Sequence, residues 1–254
     1  GGSNSLQGGV CRDCGQAAHG LDLLVDYGFA SYFLGVFFRA WRWKGLLEAL
    51  GVKAQLGRLS WPYLIGFFFN QLIPTGVGGD AMRVYMLAKD GAGGTLSANS
   101  AFIDRTAGRY SLLLMGSVAM LVRPGLAPQS VALLLGGMTV GVSAGLALLL
   151  WSAGRLNLER LPELARGRIG QIAGKFYASF AAYSWAALAR AMAISILFNL
   201  LLILTNVFLA RAFAVDVSLW HIFFFVPLIS ATLLLPISVN GAGTREWAYV
   251  YLFG

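Results

Sequence analysis

The sequence predicts an all-α fold, a polytopic membrane helical bundle with two broken re-entrant hairpins in an inverted repeat. Three observations carry that reading. Charged residues make up 12% of the chain and hydrophobic ones 57%, whereas a soluble domain carries about 25% charged residues. Several apolar runs approach the roughly 20 residues that a membrane-spanning helix needs. Two of the apolar runs are interrupted in matching fashion. In the first, Pro74, Gly76, Gly78 and Gly79 interrupt the run and Asp80 and Arg83 follow; in the second, Pro236, Gly241 and Gly243 do so and Thr244, Arg245 and Glu246 follow. Arginine stands nine residues after proline in both, and a glycine five after it (Gly79, Gly241). Paired apolar segments broken by Pro and Gly at corresponding positions point to a transporter-type site near the bilayer midplane.

Taken in order, residues 1–20 are rich in Gly, Ser and Gln and lack the basic start and apolar core of a signal peptide. They hold both cysteines, Cys11 and Cys14, with His19 as the nearest further ligand. A structural zinc needs about four ligands, so the pair reads as an incidental part of a mobile terminus, and neither a metal site nor a cofactor is expected. Residues 21–254 read as the membrane domain, with repeat halves 21–123 and 131–254. Leu21 to Trp43 is the first span, and its Arg39, Trp41, Arg42 and Trp43 read as an interfacial anchor. Residues 44–60 suggest a short surface helix with an apolar face of Leu46, Leu47, Leu50, Val52, Leu56 and Leu59.

Trp61 to Leu87 contains the first break. Its apolar arm before Pro74 covers about a dozen residues, too short for a span at 1.5 Å per residue. Residues 88–105 read as a polar loop, ending in Asp104-Arg105 just before a span from Thr106 to Val122. Val131 to Trp151 is another span, with Gly137, Gly141 and Gly145 on one face, as for close helix packing. Residues 155–187 read as an amphipathic surface helix, Leu188 to Phe213 as a span, and Trp220 to Leu235 as the arm leading to Pro236.

Positive charge orients these elements. Arg39, Arg42, Lys44, Lys53 and Arg58 cluster before the first break, and Arg155, Arg160, Arg166, Arg168 and Lys175 cluster after the Val131–Trp151 span. Lys/Arg excess marks cytoplasmic loops. With both of these segments cytoplasmic, both flanks of Trp61–Leu87 lie on one side, so that stretch turns back on itself. The second break then enters from the opposite face. Two kinked helices, with Pro and Gly present for bending, are the plainer alternative.

Irregular backbone at membrane depth survives only where protein or a wet cavity covers it. A helix restarting after each break, capped by Asp80 or Thr244, would present free N–H groups to an anion. Arg83 and Arg245 add guanidinium forks suited to phosphate. The candidate substrate-binding residues are therefore Asn70, Asp80, Arg83, Asp104, Arg105, Asn240, Thr244, Arg245 and Glu246, with Pro74, Gly78, Gly79, Pro236, Gly241 and Gly243 as structural hinges. The opposing reading is that Asp80–Arg83 and Arg245–Glu246 pair with one another. Enzyme signatures are missing. The chain has no Walker-type loop, no nucleophile elbow and no clustered histidines, since His19 and His221 are far apart. The net charge of +8 does not imply nucleic acid, because no basic run is free of apolar spans.

Four groups of residues, Arg39-Ala-Trp-Arg-Trp43, Phe68-Phe-Asn70 through Pro74, Gly78, Gly79, Asp80 and Arg83, Asp104-Arg105 with Gly108, and Pro236 through Asn240, Gly241, Gly243, Thr244, Arg245 and Glu246, together resemble the integral-membrane, flippase-like region of the lysylphosphatidylglycerol synthase/flippase family, also described as UPF-type membrane proteins. The resemblance covers about residues 30–254. It implies a multi-pass protein of the bacterial or archaeal inner membrane that moves an anionic phospholipid or a lipid-linked sugar between leaflets. The soluble aminoacyl-transferase domain of the bifunctional members has no counterpart here, so synthase activity is not implied. Members carry further spans at both ends, and the chain reads as truncated. Two other functions stay open: a membrane transferase acting on a lipid-linked substrate with Asp80 or Asp104 as base, and a non-catalytic membrane partner of a separate synthase or transferase.

Overall fold

The computed structural model describes residues 26–28, 30–31, 33–72, 78–125, 129–153, 179–180, 182–212 and 218–232. Among these there is no strand. Helix α1 covers residues 33–49. It is followed by α2 (Leu56–Leu72), α3 (Gly78–Leu87), a π-helical turn (Ala88–Ala92), α4 (Gly94–Val122), α5 (Gln129–Ala153), α6 (Trp185–Ala212) and α7 (Leu219–Thr232). The Cys11–Cys14 pair, the break at Pro74 and Gly76, nearly all of the 155–187 surface helix and the whole second break from Pro236 to Glu246 lie outside the described residues.

Helices α2 and α3 form an antiparallel hairpin. Gly66 lies against Gly79, Tyr63 bonds Arg83, and Arg58 bonds Asp90, so contacts climb one helix as they descend the other. Both outer ends of the hairpin therefore lie at the same end of the bundle. Two glycines permit the approach, because a Cβ on Gly66 would sit 3.0 Å from the Gly79 carbonyl oxygen. The π-helical turn then reverses the chain through Gly91 (φ 96°) and Gly93 (φ 78°), a backbone region that residues with a Cβ rarely adopt.

Helix α4 is the central post. It packs against α3, α5, α6 and α7, and α1 reaches it through Arg42–Asp104 and Trp43–Ser100. Successive pairs give the directions. Tyr110–Ser143 and Ser117–Thr139 make α5 antiparallel to α4. Arg42 reaches both Asp104 and Ser195, and four residues further along each helix Asn199 bonds Gly108, which makes α6 parallel to α4. Helices α5 and α6 are long and apolar enough to cross a membrane, with mean hydropathy 2.1 over Gln129–Ser152 and 2.3 over Trp185–Arg211. Large apolar side chains point away from the bundle, among them Leu121 (81% exposed) and Leu133 and Val140 (68% each). An outer surface of that kind suits lipid and not water.

The structure changes several expectations. Arg42 and Trp43 are buried, and of the Trp/Arg motif Trp41 is the ring that faces outward; the motif is a core element more than an interfacial anchor. The separate surface helix over 44–60 is not formed. Helix α1 continues to residue 49 and buries Leu46 in a cluster with Ile103 of α4 and Phe180, and Leu47 in one with Leu59 and Tyr63 of α2 and Leu87 of α3. The polar loop over 88–105 is largely the first third of α4, so Asp104-Arg105 lies within a helix. Asp80 is not an N-cap but stands in the first turn of α3, which begins at Gly78. The Gly137/Gly141/Gly145 stripe meets nothing within 4 Å among the described residues; α5 packs there through Leu135, Thr139 and Ser143 instead, where hydroxyls find partners on α4.

Candidate functional site

The polar centre of the bundle is Asp104, 1% exposed. Burying a carboxylate is costly unless it is paired and hydrogen-bonded, and three elements supply the partners. From α1, Arg42 donates through Nε to Oδ1 at 2.7 Å, while its Nη1 donates to Ser195 of α6 at 2.8 Å. From α3, Arg83 donates through Nη2 to Oδ2 at 3.0 Å. From α2, the Tyr63 hydroxyl donates to the same Oδ2 and accepts from Arg83 Nη2 at 2.7 Å. Each carboxylate oxygen of Asp104 is thus occupied.

Arg83 sits in an aromatic clamp. Its guanidinium carbon lies 3.8 Å from the Tyr63 ring centroid and 4.2 Å from that of Trp43. The two rings meet edge-on, and Trp43 Nε1 is anchored on Ser100 Oγ at 3.1 Å. Arg83 Nη1 also reaches Asp80 Oδ1 at 3.2 Å, and Arg105 donates to the other oxygen of Asp80. Arg83 Nε is buried with no hydrogen-bond partner among the described residues.

Two further arginines border this network. Arg39, one turn before Arg42 on α1, lies over Phe198 at 4.5 Å and Phe67 at 5.3 Å, within electrostatic reach of Asp104, Arg42 and Arg83. Arg109, one turn beyond Arg105 on α4, is within electrostatic reach of Arg105 and Asp80. Neither has an ion pair among the described residues. Among the described residues, the five arginines and two aspartates of this region leave a surplus of three positive charges (5 − 2).

Asp80, Arg83, Asp104 and Arg105 are therefore brought into one cluster, and Gly78 and Gly79 are buried at the start of α3 beside it. Of Asn70, its place in the last turn of α2 is described. Asn240, Thr244, Arg245 and Glu246, with the hinges Pro74, Pro236, Gly241 and Gly243, lie outside the described residues. Sequence reasoning missed Arg42, Tyr63, Trp43 and Ser195 as partners and Arg39 and Arg109 as neighbours. The usable signal was the spacing of Arg39 and Arg42, three apart and hence on one helix face. Elsewhere, a cavity of about 600 Å³ opens at the outer end of the α2–α3 hairpin, lined by Lys44, Lys53, Arg58, Glu48 and Asp90. There Lys44–Glu48 and Arg58–Asp90 are paired at 3.4 Å. No group of three or more His, Cys, Asp or Glu side chains suited to a metal exists among the described residues.

An all-helical bundle with a lipid-suited exterior and a cationic polar centre defines a membrane protein with an internal charged site. The chain belongs to the family described as the lysylphosphatidylglycerol synthase TM region, whose family model matches residues 23–254. No curated protein and no solved structure matches it.

Proposed function

We propose that the protein is a lipid flippase-like transporter of the inner membrane. It would span the bilayer several times and carry an anionic phospholipid, or an anionic lipid-linked headgroup, between leaflets. The surplus of positive charge around Asp104 carries this reading. Uncompensated charge within a membrane domain is costly and marks a substrate path by default, and a net cationic centre favours an anion. The α2–α3 hairpin, with both outer ends at one end of the bundle, supports a re-entrant element whose tip lies at membrane depth. The second break, with Asn240, Thr244, Arg245 and Glu246, would supply the opposing half of an inverted repeat, and rocking of the halves would alternate access.

The transferase reading has less support. It needs Asp80 or Asp104 as base, and both are ion-paired, Asp104 through both oxygens. Reconstitution into vesicles holding a headgroup-labelled phosphatidylglycerol tests transport. Labelled lipid in the inner leaflet should become accessible to an external quencher faster than in protein-free vesicles. Equal rates with and without protein would overturn the proposal.

A further inference from the structure

Of the two arginines of this region without an ion pair among the described residues, Arg39 and Arg109, Arg39 is the one described against ring faces, and Asp104, the carboxylate within its electrostatic reach, is already taken. Arg42 and Arg83 are held by Asp104, and Arg105 by Asp80. Arg39 is half-buried and has the faces of Phe67 and Phe198 as its neighbours, at 5.3 and 4.5 Å. The magnitudes do not balance. Taking an unpaired ion out of water costs several kcal/mol, whereas a cation–π contact returns about 2 kcal/mol at best. Ring faces also consume none of the guanidinium's N–H donors, which lie at its edge. The two rings hold the plane of the group while its donors stay available, an arrangement suited to a bidentate oxyanion. The rings come from α2 of the hairpin and from α6, so such an anion would lie where the hairpin meets the long apolar helix.

We propose that Arg39 is the phosphate-binding residue of the site, taking the phosphate ester of an anionic lipid edge-on while Phe67 and Phe198 orient the guanidinium. This rests on the transport reading for its lipid source, but binding at equilibrium is measured without transport. A protein that binds the lipid and fails the vesicle assay would lose the transport reading and keep this one.

The test is binding of dioctanoyl phosphatidylglycerol to the full chain in detergent, with dioctanoylglycerol and glycerol 3-phosphate as parallel probes. The wild type should bind the phospholipid more tightly than dioctanoylglycerol. Arg39→Gln should weaken phospholipid binding about tenfold or more, and Arg39→Lys about threefold, since lysine keeps the charge but not the planar fork. Dioctanoylglycerol binding should be unchanged in both. Glycerol 3-phosphate bound as tightly as the lipid, and lost equally in Arg39→Gln, would support the phosphate contact and identify a soluble ester as the source. Unchanged phospholipid affinity in Arg39→Gln overturns the proposal; should that variant not fold, unchanged affinity in Arg39→Lys does so. It is equally overturned if Glu246→Gln and Arg39→Gln lower the melting temperature alike with lipid affinity intact, since the counter-charge is then the protein's own.

Discussion

Arg42 Nε lies 2.7 Å from Asp104 Oδ1 across 62 residues of sequence. That bond joins α1 to α4, and the same guanidinium continues to Ser195 of α6. On the other oxygen Arg83 brings in α3. One carboxylate thus ties together four helices that the apolar effect alone would hold weakly, since lipid competes for the same surfaces.

Asp104→Asn should therefore destabilise the fold by about 3–5 kcal/mol, because two buried guanidiniums lose their counter-charge together. Thermal unfolding in detergent would show a lower midpoint. Arg42→Gln added to Asp104→Asn should cost less than the sum of the single changes, as expected for groups in one network.

Tyr63→Phe keeps the ring over Arg83 and removes the hydroxyl that bridges Arg83 and Asp104. The expected loss is smaller, about 1–3 kcal/mol, and would be read in the same unfolding experiment. A loss as large as that of Asp104→Asn would mean that the hydroxyl, not the ion pair, organises the centre.

Glycine substitutions should divide by location. A Cβ on Gly116 would lie 2.9 Å from Pro227 Cβ and 3.2 Å from Leu135 Cδ2. Gly116→Ala should cost about 1–3 kcal/mol by overpacking the junction of α4, α5 and α7. Gly141 meets nothing within 4 Å among the described residues, so Gly141→Ala should be neutral or stabilising by up to about 1 kcal/mol through helix propensity. Melting midpoints of the two variants, measured side by side, check the contrast.

The Arg58–Asp90 pair offers a control. Its side chains are 71% and 55% exposed at 3.4 Å, and exposed pairs contribute about 0–1 kcal/mol. Asp90→Asn should leave the unfolding midpoint nearly unchanged, whereas the same Asp-to-Asn change at position 104 should not.

The sequence by itself determined the class of the molecule and the place of its long helices. Low charge and sustained apolar runs demand helices in lipid, because a backbone without water must satisfy its own hydrogen bonds. The Leu188–Phe213 and Val131–Trp151 readings fall within a few residues of α6 and α5. Tertiary structure alone decided how charge is shared. Asp104 looked like the end of a polar loop because polarity was read along the chain, yet in space its neighbours are Arg42, Tyr63 and Arg83, brought from three other helices. The glycine stripe of α5 misled for the same reason: local spacing defines a face, but which face meets a neighbour depends on where hydroxyls and arginines elsewhere find partners. Arg39 and Arg42 are both basic residues at the end of an apolar run. One lies against a ring of α2 and a ring of α6 with no ion pair among the described residues, and a carboxylate on α4 neutralises the other.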